Sequence, residues 1–372
     1  MHLVAFSAEH FRNLAPFRLE PHRRFNILEG RNGQGKTNLL EAVYLLSAFR
    51  SFRDGRNREL VAFGQERATV FAEIVKKGVS RTVEVAITPK GKRVALDGKA
   101  ITSLPDELAH LSVVLFGPDD LVLTKEGPQL RRRFLDRAVY AVSPEYVNEL
   151  RAYGVALKNR NRLLRQAQEG RLDPAVIAAF EKELVAHGAR VMLRRLQFLE
   201  SYRPHFVRVF SEITGGELAG GITYRGLGKA SLADATVADL EARYRAVLDE
   251  ARQTDLRRGF TSVGPHTHDL GFTIGGRPAR TYASQGQHRA FVLALKIAEL
   301  HRIHDAIGDY PVFLLDDVSS ELDEERNAQL MRYLDSAGGQ VFITTTDRRW
   351  IHLTGDTAVW RVAEGRVSAE VG

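Results

Sequence analysis

The stretch Phe25-Asn26-Ile27-Leu28-Glu29-Gly30-Arg31-Asn32-Gly33-Gln34-Gly35-Lys36-Thr37-Asn38-Leu39-Leu40 decides the fold. Phe25–Leu28 is a short apolar strand signal. Gly30 to Thr37 fits G-x-x-x-x-G-K-[ST] without a mismatch. Asn38–Ser47 continues with Leu39, Leu40, Val43 and Leu46 at helical spacing. Glycines let successive backbone N–H groups curl around phosphate oxygens without a Cβ clash. The helix N-terminus adds its dipole and free donors. Lys36 is a point charge for the β- and γ-phosphates, and Thr37 offers a hydroxyl to Mg²⁺. The expected nucleotide-binding residues here are Gly30, Arg31, Asn32, Gly33, Gln34, Gly35, Lys36, Thr37 and Asn38. The plain alternative is a glycine-rich turn before a helix.

Val312-Phe313-Leu314-Leu315-Asp316-Asp317 is four apolar residues ending in two acids. A buried parallel strand delivers its last side chains to the C-terminal edge of the sheet, where α/β proteins bind ligands. Asp316 is expected to hold Mg²⁺ with Thr37, and Asp317 to polarise an attacking water. Lys36, Asp316 and Asp317 are then the catalytic set. A strand end followed by an acidic turn is the bland alternative.

Ala283-Ser284-Gln285-Gly286-Gln287 stands just before another helix, so it is either a second anion site or a simple N-cap. It precedes the carboxylate strand, and Ser319-Ser320-Glu321-Leu322-Asp323 follows it. A further strand, Val341-Phe342-Ile343, ends in Thr344-Thr345-Thr346-Asp347. This succession resembles the ABC-type ATPase head of transporter subunits and SMC-like DNA repair proteins. The resemblance implies an α/β P-loop ATPase whose Ser284, Gly286 and Gln287 cap ATP held on another protomer. It puts Asp323 at the D-loop aspartate. Thr346 departs from the switch histidine of many members.

The rest of the chain fits an interrupted domain. Ala68–Ile74 and Ser80–Ile87 are β-branched runs joined by Lys76-Lys77-Gly78, a hairpin signal. Arg93–Leu96 closes on Asp97-Gly98, and Leu111–Phe116 is a buried strand candidate. Helical patterns dominate from about 128 to 255, broken at Gly215-Gly216 and Gly220-Gly221. The expected boundaries are 1–127 and 256–372 for the two parts of the ATPase domain, and 128–255 for a mainly α-helical insert.

Narrower signatures are Phe11-Arg12-Asn13-Leu14, Ser51-Phe52-Arg53, Arg131-Arg132-Arg133-Phe134-Leu135-Asp136, Asn159-Arg160-Asn161 and Gly264-Pro265-His266. With the motifs above, they resemble the RecF family of bacterial DNA replication and repair proteins across nearly the whole chain. After His266 that family usually shows a basic residue and two acids; this chain has Thr267, His268 and Asp269. The resemblance implies a cytoplasmic DNA-binding ATPase using ATP and Mg²⁺. It implies a homodimer formed on ATP at double-stranded DNA or a single-strand/double-strand junction. RecR and RecO are the implied partners, RecA loading the implied task, and a membrane partner is not implied.

Composition is permissive. The chain has 372 residues, no cysteine, 44% apolar residues and a net charge of +7. Disulfide scaffolds, zinc–thiolate sites and cysteine nucleophiles are excluded. No signal peptide or membrane-length apolar run is read. The charge matters locally. Residues 131–165 carry nine basic groups against Asp136, Glu145 and Glu149. Arg151, Lys158, Arg162 and Arg165 fall on one helical face, and with Arg131 and Arg132 are the candidate DNA contacts. A solvated face, or ion pairing for Arg131–Arg133, is the competing reading. No aromatic residue shares that helical face, so base stacking is not expected. His266 and His268 could meet a metal, but fit a loop better. Two rivals share the ATP chemistry: a transporter subunit, which needs a membrane partner, and a non-hydrolysing scaffold, which Asp316-Asp317 argues against.

Overall fold

The helix after the phosphate loop runs Lys36–Ala48, and Leu39, Leu40, Ala42, Val43, Leu45 and Leu46 are all buried. A helix apolar all round needs cover on more than one side. Two sheets supply it in the computed structural model, which describes residues 1–53, 55–101, 111–171, 175–226, 235–317 and 324–370. One sheet has the strand order Arg366–Ala369, Thr357–Ala363, Phe25–Glu29, Val341–Thr345, Val312–Leu315, Val113–Phe116. Its pairs are parallel except the first. The other is antiparallel, in the order Phe17–Leu19, His2–Glu9, Ala68–Lys76, Val79–Thr88, Gly91–Leu96, Lys99–Ala100. Val70, Ala72, Ile74, Val83, Val85 and Ile87 alternate inward along its middle strands and join the helix in one core. The hairpins turn on Lys77-Gly78 and Asp97-Gly98, where both residues have positive φ, as a two-residue turn matching strand twist requires.

These elements belong to a unit made of Met1–Leu121, Val209–Glu217 and Ser284–Gly372. A second unit comprises Val122–Arg208 and Leu218–Ala283. The expected boundaries at 127/128 and 255/256 therefore differ from those of the compact units. Residues after 255 still belong to the second unit because the strand Asp269–Ile274 pairs with Gly220–Arg225.

That pairing was not expected from Gly220-Gly221, which reads as a break. Glycine is needed there for close approach: a Cβ on Gly221 would lie 2.4 Å from Thr273 Oγ1, and one on Gly271 2.4 Å from Arg225 Nε. The helices of this unit are Pro128–Val142, Tyr146–Gln168, Val237–Arg258 and the part of Ala175–Ile213 up to Arg208. Its interior is polar as well as apolar. Arg160 is fully buried and bonds Asp255 at 2.7 Å, Glu181 at 3.0 Å and Thr261 at 2.9 Å. Arg195 bonds Asp136 and the Pro265 carbonyl. Among the described residues no helix is long and apolar enough to cross a membrane.

Candidate nucleotide site

Strand register brings three distant segments to one sheet edge. Leu28 pairs with Thr344, and Ile343 with Leu315. The phosphate loop, Thr344 and Asp316-Asp317 thus leave the sheet side by side at its C-terminal end.

Gly33 and Gly35 take φ of +79° and +110°, a region open to glycine at no steric cost. Gly30 has a different reason, since a Cβ there would lie 2.1 Å from the Val362 carbonyl oxygen. Gln34 closes the loop from behind. Its Oε1 accepts the Glu364 amide at 2.6 Å and its carbonyl accepts the Gly365 amide at 3.0 Å. Arg31 and Asn32 are exposed. Asn38 is engaged on both sides: it donates to Asn13 Oδ1 at 2.7 Å and accepts from Arg53 Nη1 at 2.9 Å.

Lys36 is buried, and its Nζ donates to the carbonyls of Gly30 at 2.6 Å and Arg31 at 3.0 Å. Burial lowers its pKa, and Asp317 and then Asp316 oppose that shift. Asp316 Oδ1 accepts from Thr37 Oγ1 and from Thr344 Oγ1, each at 2.9 Å. Burial raises the Asp316 pKa, while the Thr344 and Thr37 hydroxyls favour the carboxylate. Thr344 Oγ1 also accepts the Asp317 amide at 2.8 Å, and Asp317 has a positive φ of 50°.

A cleft of about 270 Å³ is lined by Asn32, Gly33, Gly35, Lys36, Thr37, Asn38, Arg53, Asp316, Asp317 and Thr344. A hydroxyl beside a carboxylate suits a hard cation, and oxygen donors at one sheet edge fit Mg²⁺. No cluster of three or more His, Asp or Glu side chains able to hold a metal occurs among the described residues. Such an ion would draw most of its ligands from phosphate and water.

Thr344 and Arg53 were not among the expected site residues. Ser51-Phe52-Arg53 is a visible motif, but its proximity to the loop depends on packing. Glu41, buried in the loop helix, holds that segment by accepting from Ser51 at 2.5 Å and from Arg12 at 2.7 and 3.0 Å.

Ser284, Gly286 and Gln287 do not line this cleft. Ser284 is exposed and caps the helix Gln285–Ile307: its Oγ accepts the Gln287 amide, and Gln287 Oε1 accepts the Ser284 amide. Gly286 packs closely, its missing Cβ 2.7 Å from Arg326 Nη1. Asp323, like Ser319 to Leu322, lies outside the described residues. Thr346 is exposed one residue beyond its strand.

In the second unit the candidate DNA residues separate. Arg131 is buried; it binds both Asp269 oxygens at 2.8 Å and the carbonyls of Leu123 and Glu126. It is a structural ion pair, which corrects the expectation of a DNA contact. Arg132 is half-buried and donates to the His268 carbonyl at 2.8 Å. Arg151, Lys158, Arg162 and Arg165 are exposed along Tyr146–Gln168, as the spacing predicts. His266 bonds Tyr153 and the Thr261 carbonyl, and His268 bonds Tyr224.

Comparison with known proteins agrees with this fold. The family model described as RecF/RecN/SMC N terminal domain matches residues 2–367. The DNA replication and repair protein RecF of Myxococcus xanthus is 43% identical over 369 residues, 98% of this chain and 96% of that protein. A solved recombination mediator protein, RecF-ATP of the RecFOR pathway, superposes with a TM-score of 0.89 at 32% identity, covering 99% of both chains. The Smc head domain from Pyrococcus furiosus gives a TM-score of 0.55 at 15% identity, over 99% of this chain and 96% of that one, a likeness of fold alone. The shared fold is the α/β ABC-type P-loop ATPase head.

Proposed function

This chain belongs to the RecF family of DNA replication and repair proteins, and from that premise we propose that it binds and hydrolyses ATP and closes into a homodimer on DNA. One observation carries the reading: Thr344 ties Asp316, beside Thr37, to Asp317 at the mouth of the phosphate loop. Lys36 sits at the loop with its charge free to turn from backbone carbonyls to phosphate oxygens. Arg53 adds a second cation on the cleft wall. Thr37 and Asp316 are the residues that would hold Mg²⁺, which supplies charge neutralisation on the phosphates. Asp317 accepts a hydrogen bond from the attacking water and orients it.

The exposed Ser284 and the helix N-terminus it caps face ATP held by a second copy, with Gly286 and Gln287 beside it. Dimerisation then reads out nucleotide state. The second unit is the helical insert of the head. Its exposed stripe Arg151, Lys158, Arg162 and Arg165 tracks the phosphate backbone of duplex DNA or a duplex junction. RecR and RecO are the partners with which it would serve RecA loading in the cytoplasm. The transporter reading is not carried forward, because the full-length relatives are repair proteins.

The test is sedimentation and ATP turnover measured with and without duplex DNA. ATP-dependent dimers and turnover stimulated by DNA are expected. A monomer at saturating ATP whose turnover ignores DNA rejects the proposal.

A further inference from the structure

The helix Val237–Arg258 ends on two exposed arginines, Arg257 and Arg258, and is capped by Gly259 in the left-handed region at φ 72°. Gly259 abuts the basic helix: a Cβ on it would lie 3.2 Å from Arg165 Cγ and 2.9 Å from Gln168 Oε1. Gln168 Nε2 donates to the Arg257 carbonyl at 2.8 Å. Two residues on, Thr261 donates its amide and hydroxyl to Asn161 Oδ1 at 2.8 and 2.7 Å. Phe260 lies between these anchors. Its backbone is pinned against the turns of residues 161–168, yet its side chain is 47% exposed.

A lone exposed phenylalanine is ordinary. This one follows Arg257 and Arg258 in the chain, and its backbone is held against the turns that carry Arg162 and Arg165; all four arginines are exposed and none is in an ion pair among the described residues. The nearby acids are spoken for: Asp255 is buried against Arg160, and Glu169 pairs with Arg171. Exposed cations on the segments beside an open apolar ring fit a polyanion that also presents flat apolar faces. Duplex DNA keeps those faces stacked inside except at its ends, so along the duplex only an unpaired base can reach the ring.

We propose that Phe260 is a base-stacking platform at the end of the basic stripe. It receives an unpaired nucleotide while Arg162, Arg165, Arg257 and Arg258 hold the adjoining phosphates. This rests on the DNA reading of that helix and makes Phe260 the residue that tells a single-strand/double-strand junction from blunt duplex. It also reverses the expectation that stacking plays no part, because the aromatic residue comes from about 100 positions away and no local pattern announces it.

The test compares fluorescein-labelled blunt duplex with the same duplex carrying a short single-stranded tail, bound by the full chain with ATP and Mg²⁺. Phe260→Ala should weaken tailed-duplex binding about tenfold and leave blunt-duplex binding unchanged, while Phe260→Trp retains the preference. A tail-to-blunt ratio that Phe260→Ala does not move overturns the platform. Charge reversal at Arg151, Lys158 and Arg162 separates the two levels. If blunt-duplex binding ignores it, the DNA reading of the helix falls and the platform with it. If blunt-duplex binding responds but the ratio stays fixed, the platform alone falls.

Discussion

Thr344 Oγ1 lies 2.9 Å from Asp316 Oδ1, on the strand next to the one that delivers that carboxylate. The same oxygen accepts the Asp317 amide. One buried hydroxyl therefore orients two acids for which different tasks are proposed. Thr344→Val keeps the volume and removes both bonds, so turnover should fall about tenfold or more with ATP affinity little changed. Thr344→Ser should retain most of the rate. Steady-state ATPase assays decide it, and wild-type turnover in the valine variant would reject the orienting role.

Lys36 holds the loop by two carbonyls and is kept partly desolvated. Lys36→Ala should weaken ATP binding by at least about tenfold, since hydrogen bonds to a charged group are lost. Equilibrium titration with a fluorescent ATP analogue reads this directly; unchanged affinity would remove Lys36 from the site.

Ser284 has a job inside one chain, as the N-cap of Gln285–Ile307, so alanine alone cannot separate roles. Ser284→Ala should cost about 1 kcal/mol of stability, whereas Ser284→Asn keeps a cap. Both should remain monomeric with ATP by light scattering. Wild-type dimerisation in the asparagine variant would leave the serine as a cap only.

Basic residues of the second unit should divide by burial. Reversing charge at the exposed Arg151, Lys158 and Arg162 should weaken duplex binding and flatten its salt dependence without lowering stability. Arg160→Met should do the opposite, costing about 3–5 kcal/mol because Asp255 is left charged and buried. Urea denaturation and binding at several salt concentrations distinguish the two classes.

His268 carries a pH signature. Burial, with the charges of Arg195, His266 and Arg132, lowers its pKa to about 3. The unfolded chain takes up a proton near pH 6.5 and the folded chain does not, so stability holds above that pH and falls below it. The loss should approach about 1.4 kcal/mol per pH unit between roughly pH 6 and 4. His268→Asn should shallow that slope in denaturation experiments; an identical slope would assign the acid sensitivity elsewhere.

What could be read from the chain was local. Gly30 to Thr37 announces its loop because glycine positions, lysine and hydroxyl are fixed within eight residues. Asp316 and Asp317 are legible because an apolar run ends on them. The face shared by Arg151, Lys158, Arg162 and Arg165 follows from helical period alone. Thr344 and Arg53 reach the cleft only through strand register and packing, which no short window encodes. Arg131 and Arg151 look alike as letters. They differ because Asp269, distant in sequence, meets the first and nothing among the described residues meets the second. The strand Gly220–Arg225 was hidden because its glycines serve a partner that follows much later.

The bonds from Glu364 and Gly365 to Gln34 have a consequence for synthesis. The turn that closes the phosphate loop leaves the ribosome 330 residues after the loop itself. Thr344 and the carboxylate strand are also late. A nascent chain therefore carries the motif long before it carries the site, which is assembled only after the carboxylate strand, Thr344 and the Glu364-Gly365 turn have emerged.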